Sequence, residues 1–166
     1  MQSIHILDIK PFMQLLFQTE QLNEYEFVSA DIRTDMTYSL DGHINRSFFS
    51  EEELIQHSLT QRSYLTWSIA REKVFTLIKG KRTPSLLKIV LRASVPETEN
   101  LISSTNSSLN SNDIDGIFLN IIFQENKLNV ICGISYKIFT MDKELESEFS
   151  AKIITLLKSS SITCEI

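Results

Sequence analysis

The chain has 166 residues with a formal net charge of −5, and 42% of its residues are hydrophobic and 22% charged. That balance belongs to a folded domain and excludes a disordered one, and the length suits a single core that needs no metal or disulfide staple. With Gly 4 and Pro 3, glycine is too scarce for a phosphate loop, a collagen-like run or a solenoid with a glycine in each turn.

Ser3–Leu7 reads as a short apolar strand, with Asp8 placed as the N-cap of a helix. Ile9, Phe12, Met13, Leu16 and Phe17 then recur at helical spacing, and Pro11 falls in the first turn, where its missing N–H costs little. Tyr25–Arg33 and Met36–Ile44 alternate as strands joined at Thr34-Asp35. Val28, Ala30 and Ile32 share a face in the first of them; Met36, Tyr38 and Leu40 do so in the second. Asp41-Gly42 marks a sharp turn or bulge.

Ser50-Glu51-Glu52-Glu53 has capping-box spacing and opens a short helix to about His57. A longer helix is expected from about Ser63 to Lys79 around Trp67, Ala70, Val74, Leu77 and Ile78, with Gly80 as a left-handed cap and Pro84 beyond it. Leu86–Ala93 is a strand with Leu87, Ile89 and Leu91 on one face and Lys88 and Arg92 on the other. Ser94-Val95-Pro96-Glu97 repeats the capping-box spacing, and nine of the ten residues from 103 to 112 are Ser, Thr or Asn, a polar loop. Ile117–Phe123 and Leu128–Ile134 form a hairpin about Glu125-Asn126, and Ser135–Thr140 prolongs the sheet. A last helix from near Asp142 uses Leu145, Phe149, Ile153, Leu156 and Leu157.

The expected fold is therefore α+β, an antiparallel-rich sheet with packed helices in a single domain over residues 1–166. Element order repeats in halves 1–84 and 85–166, so a duplicated β-α-β-β-α unit stands beside a single unduplicated sheet as the two architectures.

Chemical signatures are scarce. Gly80-Lys81 lacks the partner glycine of a phosphate loop, and His5, His43 and His57 lie on different elements without metal-ligand spacing. Asp41 beside His43, and Asp113 near Asp115, read first as turn chemistry. Cys132 alternates with Leu128, Val130 and Ile134 as a small core residue, and neither it nor Cys164 belongs to a CxxC pair. No catalytic residue, metal ligand or cofactor is assigned. The opening residues lack the apolar run of a signal peptide, and no segment reaches the roughly 18 apolar residues of a membrane span, so a cytoplasmic protein with no membrane partner is expected.

The charge map departs from this background. Eight bases lie between Arg62 and Arg92 against the single acid Glu72, giving +7 there and −12 elsewhere. Lys79, Lys81 and Arg82 flank a helix exit, where cations offset the dipole, but Lys88 and Arg92 have no such excuse. Lys79, Lys81, Arg82, Lys88 and Arg92 are therefore the candidate anion-binding surface, for nucleic acid or another polyanion.

Several strings resemble a family of uncharacterised cytoplasmic proteins of clostridial and related Firmicutes bacteria, a domain of unknown function. They are Leu40-Asp41-Gly42-His43-Ile44-Asn45, Phe48-Phe49-Ser50-Glu51-Glu52-Glu53, Leu77-Ile78-Lys79-Gly80-Lys81-Arg82-Thr83-Pro84, Asp115-Gly116-Ile117-Phe118-Leu119-Asn120 and Lys137-Ile138-Phe139-Thr140-Met141-Asp142-Lys143. The resemblance spans nearly the whole chain and implies a compartment and a bacterial source, with no mechanism. The sequence thus favours a non-enzymatic binding or regulatory module. A structural or homo-oligomeric protein and an unrecognised enzyme are the alternatives.

Overall fold

The computed structural model describes residues 1–166. The strands are β1 (Gln2–Ile6), β2 (Glu26–Arg33), β3 (Thr37–Asp41), β4 (Leu86–Arg92), β5 (Ile114–Gln124), β6 (Lys127–Tyr136) and β7 (Cys164–Glu165). The helices are α1 (Ile9–Gln18), α2 (Glu51–Gln56), α3 (Trp67–Ile78), α4 (Val95–Ser103) and α5 (Glu144–Ser159). All seven strands form one antiparallel sheet in the order β3-β2-β4-β5-β6-β1-β7, so the fold is α+β. No helix is long and apolar enough to cross a membrane.

Strand alternation sets the layers. Ile4, Ile6, Leu87, Ile89, Leu91, Ile117, Leu119, Ile121, Leu128, Val130 and Cys132 point to one face and are buried there. They share a core with Phe12 and Leu16 of α1, Trp67 and Val74 of α3, Leu101 of α4 and Phe149 and Ile153 of α5. The helices thus cover one face, and the opposite face carries Ser29, Asp31, Lys88, Val90, Asn120, Ile122, Asn129 and Ile131. The β5–β6 hairpin turns at Glu125 and Asn126, whose φ of 53° and 59° make the paired positive-φ turn that matches strand twist.

The halves 1–84 and 85–166 share an order of elements but not a pairing. β4 lies against β5 of its own half, whereas β1 lies against β6 and β7 and never touches β2. The pairing is that of a single sheet.

Three of the four local differences from the sequence reading have one cause, tertiary hydrogen bonding. α3 starts at Trp67 because residues 63–66 are extended: Ile44 N–H donates to Ser63 O, Leu65 N–H to Gly42 O and Phe27 N–H to Leu65 O at 2.7 Å. That last bond draws Phe27 out of register and makes a bulge at Phe27–Ser29, so Phe27 and not Val28 faces the core. Asp8 does not cap α1 with its side chain; its Oδ2 accepts Thr163 N–H at 2.7 Å and ties down β7. β6 ends at Tyr136, and the chain bends at residues 137 and 138 into an irregular connection to α5, with Phe139 and Met141 exposed.

α1 has neither glycine nor base at its C-terminus, so its last carbonyls find one local and two tertiary side-chain donors. Thr19 Oγ1 donates to Leu15 O at 2.6 Å, Trp67 Nε1 to Leu16 O at 2.8 Å, and Arg71 Nη1 to Thr19 O at 2.5 Å. The 103–112 loop is tied by Ser107 Oγ donating to Asp142 Oδ2 at 2.6 Å and Asn106 N–H donating to Glu144 Oε2 at 3.0 Å. Of the two expected capping boxes, Ser50 completes its own with Glu53, while Ser94 caps Glu97 N–H and the Glu97 side chain pairs with Lys152.

Candidate functional site

The five candidate cations fall on two faces of the sheet. Lys79, Lys81 and Arg82 lie in the α3–β4 connection on the helix-covered side, where Gly80, at φ 152°, turns the chain after Lys79 has already left the helix in extended form. A side chain at that φ is strained, although open space surrounds the position. With Thr83 and Pro84 these residues rim a groove of about 390 Å³ whose floor is Ile9, Met13, Phe75, Ile78, Leu87 and Phe123. None of the three cations has a carboxylate within ion-pair distance.

Lys88 and Arg92 alternate with Leu87, Ile89 and Leu91 and stand on the opposite face. Lys88 lies beside Asp31 in the β2–β4 register. Arg92 Nη2 donates to Asp115 O at 2.7 Å, and its guanidinium leans over Gly116. The structure brings the three loop cations together and leaves these two apart.

Arg92 has other company. Glu26 is its register partner, and a polar cleft of about 410 Å³ is lined by both with Ser58, Gln61, Arg62, Ser63 and Ser94. Arg62 is held by its own Nε donating to Ser58 O at 3.2 Å and lies 3.6 Å from Glu24 Oε2. With Glu24 at Arg62 and Glu26 at Arg92, two guanidiniums face two carboxylates, so this cleft carries no excess charge to draw an anion. Glu26 is 5% exposed. Burial lifts its carboxyl above the ordinary range, outweighing the pull of Arg92 and Arg62 and a backbone hydrogen bond from Tyr64.

That direction has a measurable consequence. A carboxyl whose folded pKa is raised favours the folded state below its ordinary value near 4.5, and the benefit is lost as pH rises through the folded value. Glu26→Gln should therefore gain in urea midpoint relative to the wild type as pH rises above the ordinary carboxyl value near 4.5. A difference that stays constant with pH would show that Glu26 is not desolvated in the fold.

The remaining groups offer less. A cleft of about 430 Å³ between the α1–β2 connection, the start of α4 and α5 holds Glu97 and Lys152, which pair with each other. His43 Nδ1 lies 2.6 Å from Asp41 Oδ1 and its ring 4.5 Å from that of Tyr64, with both members of the pair in solvent. Burial pushes the Cys132 thiol up to about 11, so it is a packing residue and no nucleophile.

A family model described as a family of unknown function, DUF5721, matches residues 14–165. The chain belongs to the DUF5721 family. No curated protein and no solved structure matches it. The family match starts within α1 and takes in the groove loop, the polar cleft and every strand except β1, so it covers nearly all of the sheet and helix layer rather than a module within it.

Glu26 and Arg62 were not among the sequence-derived site residues. Glu26 reads as the polar start of a strand, and Arg62 as one base among eight. Only the β2–β4 register, which sets Glu26 opposite Arg92, could have drawn notice to them.

Proposed function

We propose that this DUF5721 chain is a non-enzymatic binding module whose α3–β4 groove receives an acidic, partly apolar polypeptide. The observation that supports this reading is the groove itself: three cations without acidic partners, set around an apolar floor. Floor and rim argue together. A nucleic-acid backbone would use Lys79, Lys81 and Arg82 but leave Phe75, Ile78 and Met13 in water. An acidic chain with aromatic or aliphatic side chains uses both. The resemblance of its sequence strings to clostridial proteins would place such a module in a bacterial cytoplasm.

The test is fluorescence anisotropy with three labelled probes: a random Glu/Tyr copolymer, poly-Glu and single-stranded DNA. The copolymer should bind tightest, and Lys81→Glu with Arg82→Glu should weaken it at least tenfold while the melting temperature stays within a degree or two, roughly the range of a surface change. Lys88→Glu, on the other face, should leave binding unchanged. Equal binding by the double variant and the wild type would remove the groove from the account, and a preference for DNA would make the partner a nucleic acid.

A further inference from the structure

The chain carries, at the far end of its own sheet, a segment of the kind that its groove would receive. Phe48, Phe49, Ser50, Glu51, Glu52, Glu53, Leu54 and Ile55 form the α2 region of the β3–α3 connection. Phe48, edge-on to Phe49 at 5.5 Å between ring centroids, is still 79% exposed and Ile55 71%, unusual for side chains of that size. Glu53 is occupied, its Oε1 accepting Ser50 N–H at 3.1 Å to complete the helix cap. Glu51 and Glu52 are exposed and have no cation within ion-pair distance.

We propose that the Phe48–Ile55 segment of one copy docks into the Lys79–Pro84 groove of a second copy. This rests on the reading of the groove as a site for an acidic, partly apolar polypeptide, and names that partner as another molecule of this chain. Charge and apolar character match on both sides: Glu51 and Glu52 against Lys79, Lys81 and Arg82, and Phe48 and Ile55 against Met13, Phe75 and Ile78. Phe75 at the groove is itself 44% exposed. A guanidinium or ammonium on the rim could also lie over a phenyl ring of the incoming segment.

Topology makes the contact intermolecular. The segment leaves β3 at Asp41, on the sheet end shared by Ser29, Glu26 and Arg92. The groove opens at the other end, where Arg33, Leu86 and Gln124 are neighbours. The seven residues of β4 separate the two ends by roughly 20 Å. The connection is moored by wholly buried Leu59 and by Arg46 Nη2 donating to Arg62 O at 2.5 Å, so it cannot swing across. A contact between two different patches propagates head-to-tail as an open chain or ring, or closes reciprocally as a two-fold dimer. An eight-residue contact falls below the roughly 1,200 Å² of stable complexes, so the association is weak and reversible. Its charges make it salt-sensitive.

Light scattering and sedimentation velocity across a concentration series decide the matter. The wild type should show an average mass that rises with concentration in low salt and returns to the monomer in about 1 M salt. Glu51→Lys with Glu52→Lys should stay monomeric, as should Lys81→Glu with Arg82→Glu. Mixed together, the two double variants should associate again, because each then offers the other a complementary pair. Phe48→Ala should weaken association without altering net charge. A wild type that stays monomeric throughout, association that survives either reversal, or a mixture that fails to recover would each overturn the proposal. The copolymer experiment is independent, because Glu51→Lys with Glu52→Lys keeps the groove and should still bind that probe.

Discussion

Replacing Trp67 with alanine should cost roughly 3–5 kcal/mol, a large part of the stability of a domain of this size. Trp67 is fully buried, with Phe17 at 5.5 Å and Phe27 at 6.0 Å between ring centroids. Its Nε1–H is also the partner of Leu16 O, one of the α1 carbonyls that no further helical turn can satisfy. Alanine therefore opens a cavity and strands an acceptor at once. Trp67→Phe separates these contributions: it keeps most of the apolar volume, loses the hydrogen bond and should cost about 1–3 kcal/mol. Urea denaturation of both variants gives the ranking. If the phenylalanine variant were as damaged as the alanine one, the indole hydrogen bond would outweigh the packing.

The sequence made Trp67 legible as a core residue because Ala70, Val74 and Ile78 succeed it at helical spacing. The same periodicity could not show that Ser63–Thr66 is extended. Those residues pair with Gly42, Ile44 and Phe27, about twenty residues back or more, and tertiary hydrogen bonds overrode local propensity. β7 was invisible for a related reason. Cys164 and Glu165 have no pattern of their own and are placed by Ile6, His5 and the Asp8 carboxylate. Where strand partners lie close in sequence, as across Glu125-Asn126, pattern and turn chemistry sufficed.

The candidate site divides along the same line. Lys79, Lys81 and Arg82 are neighbours in the chain, so their clustering could be read directly, but the apolar floor beneath them comes from α1, α3, β4 and β5 and exists only in the fold. Lys88 and Arg92 are close in sequence to that trio, and strand alternation sends them through to the other face. Proximity in sequence predicted one surface; the period of two in β4 made it two. The Glu26, Arg62 and Arg92 cleft gathers residues about thirty positions apart, beyond the reach of any local pattern.

Gly42→Ala should be the most damaging of the glycine substitutions, about 3 kcal/mol or more. The cause is space, since a Cβ at Gly42 would fall well inside the radius of the Phe27 carbonyl oxygen and also press on that carbonyl carbon and the Phe27 ring. Backbone cannot move aside as a side-chain tip can. Relief would pull at Gly42 N–H donating to Val28 O at 2.8 Å, Leu65 N–H to Gly42 O at 2.9 Å and Phe27 N–H to Leu65 O at 2.7 Å. These bonds hold the β2 bulge, the 63–66 segment and the start of α3 in one arrangement, so strain at Gly42 reaches both the Trp67 core and the Glu26 end of the sheet. Gly116→Ala is the control: its Cβ would meet Arg92 Nε and the Phe118 ring at 2.9 Å, side-chain atoms able to shift. Thermal and urea melts should rank Gly42→Ala well below Gly116→Ala, and Gly116→Ala below the wild type. The reverse ranking would mean that the close approach of Gly42 to Phe27 is not what holds this corner of the sheet.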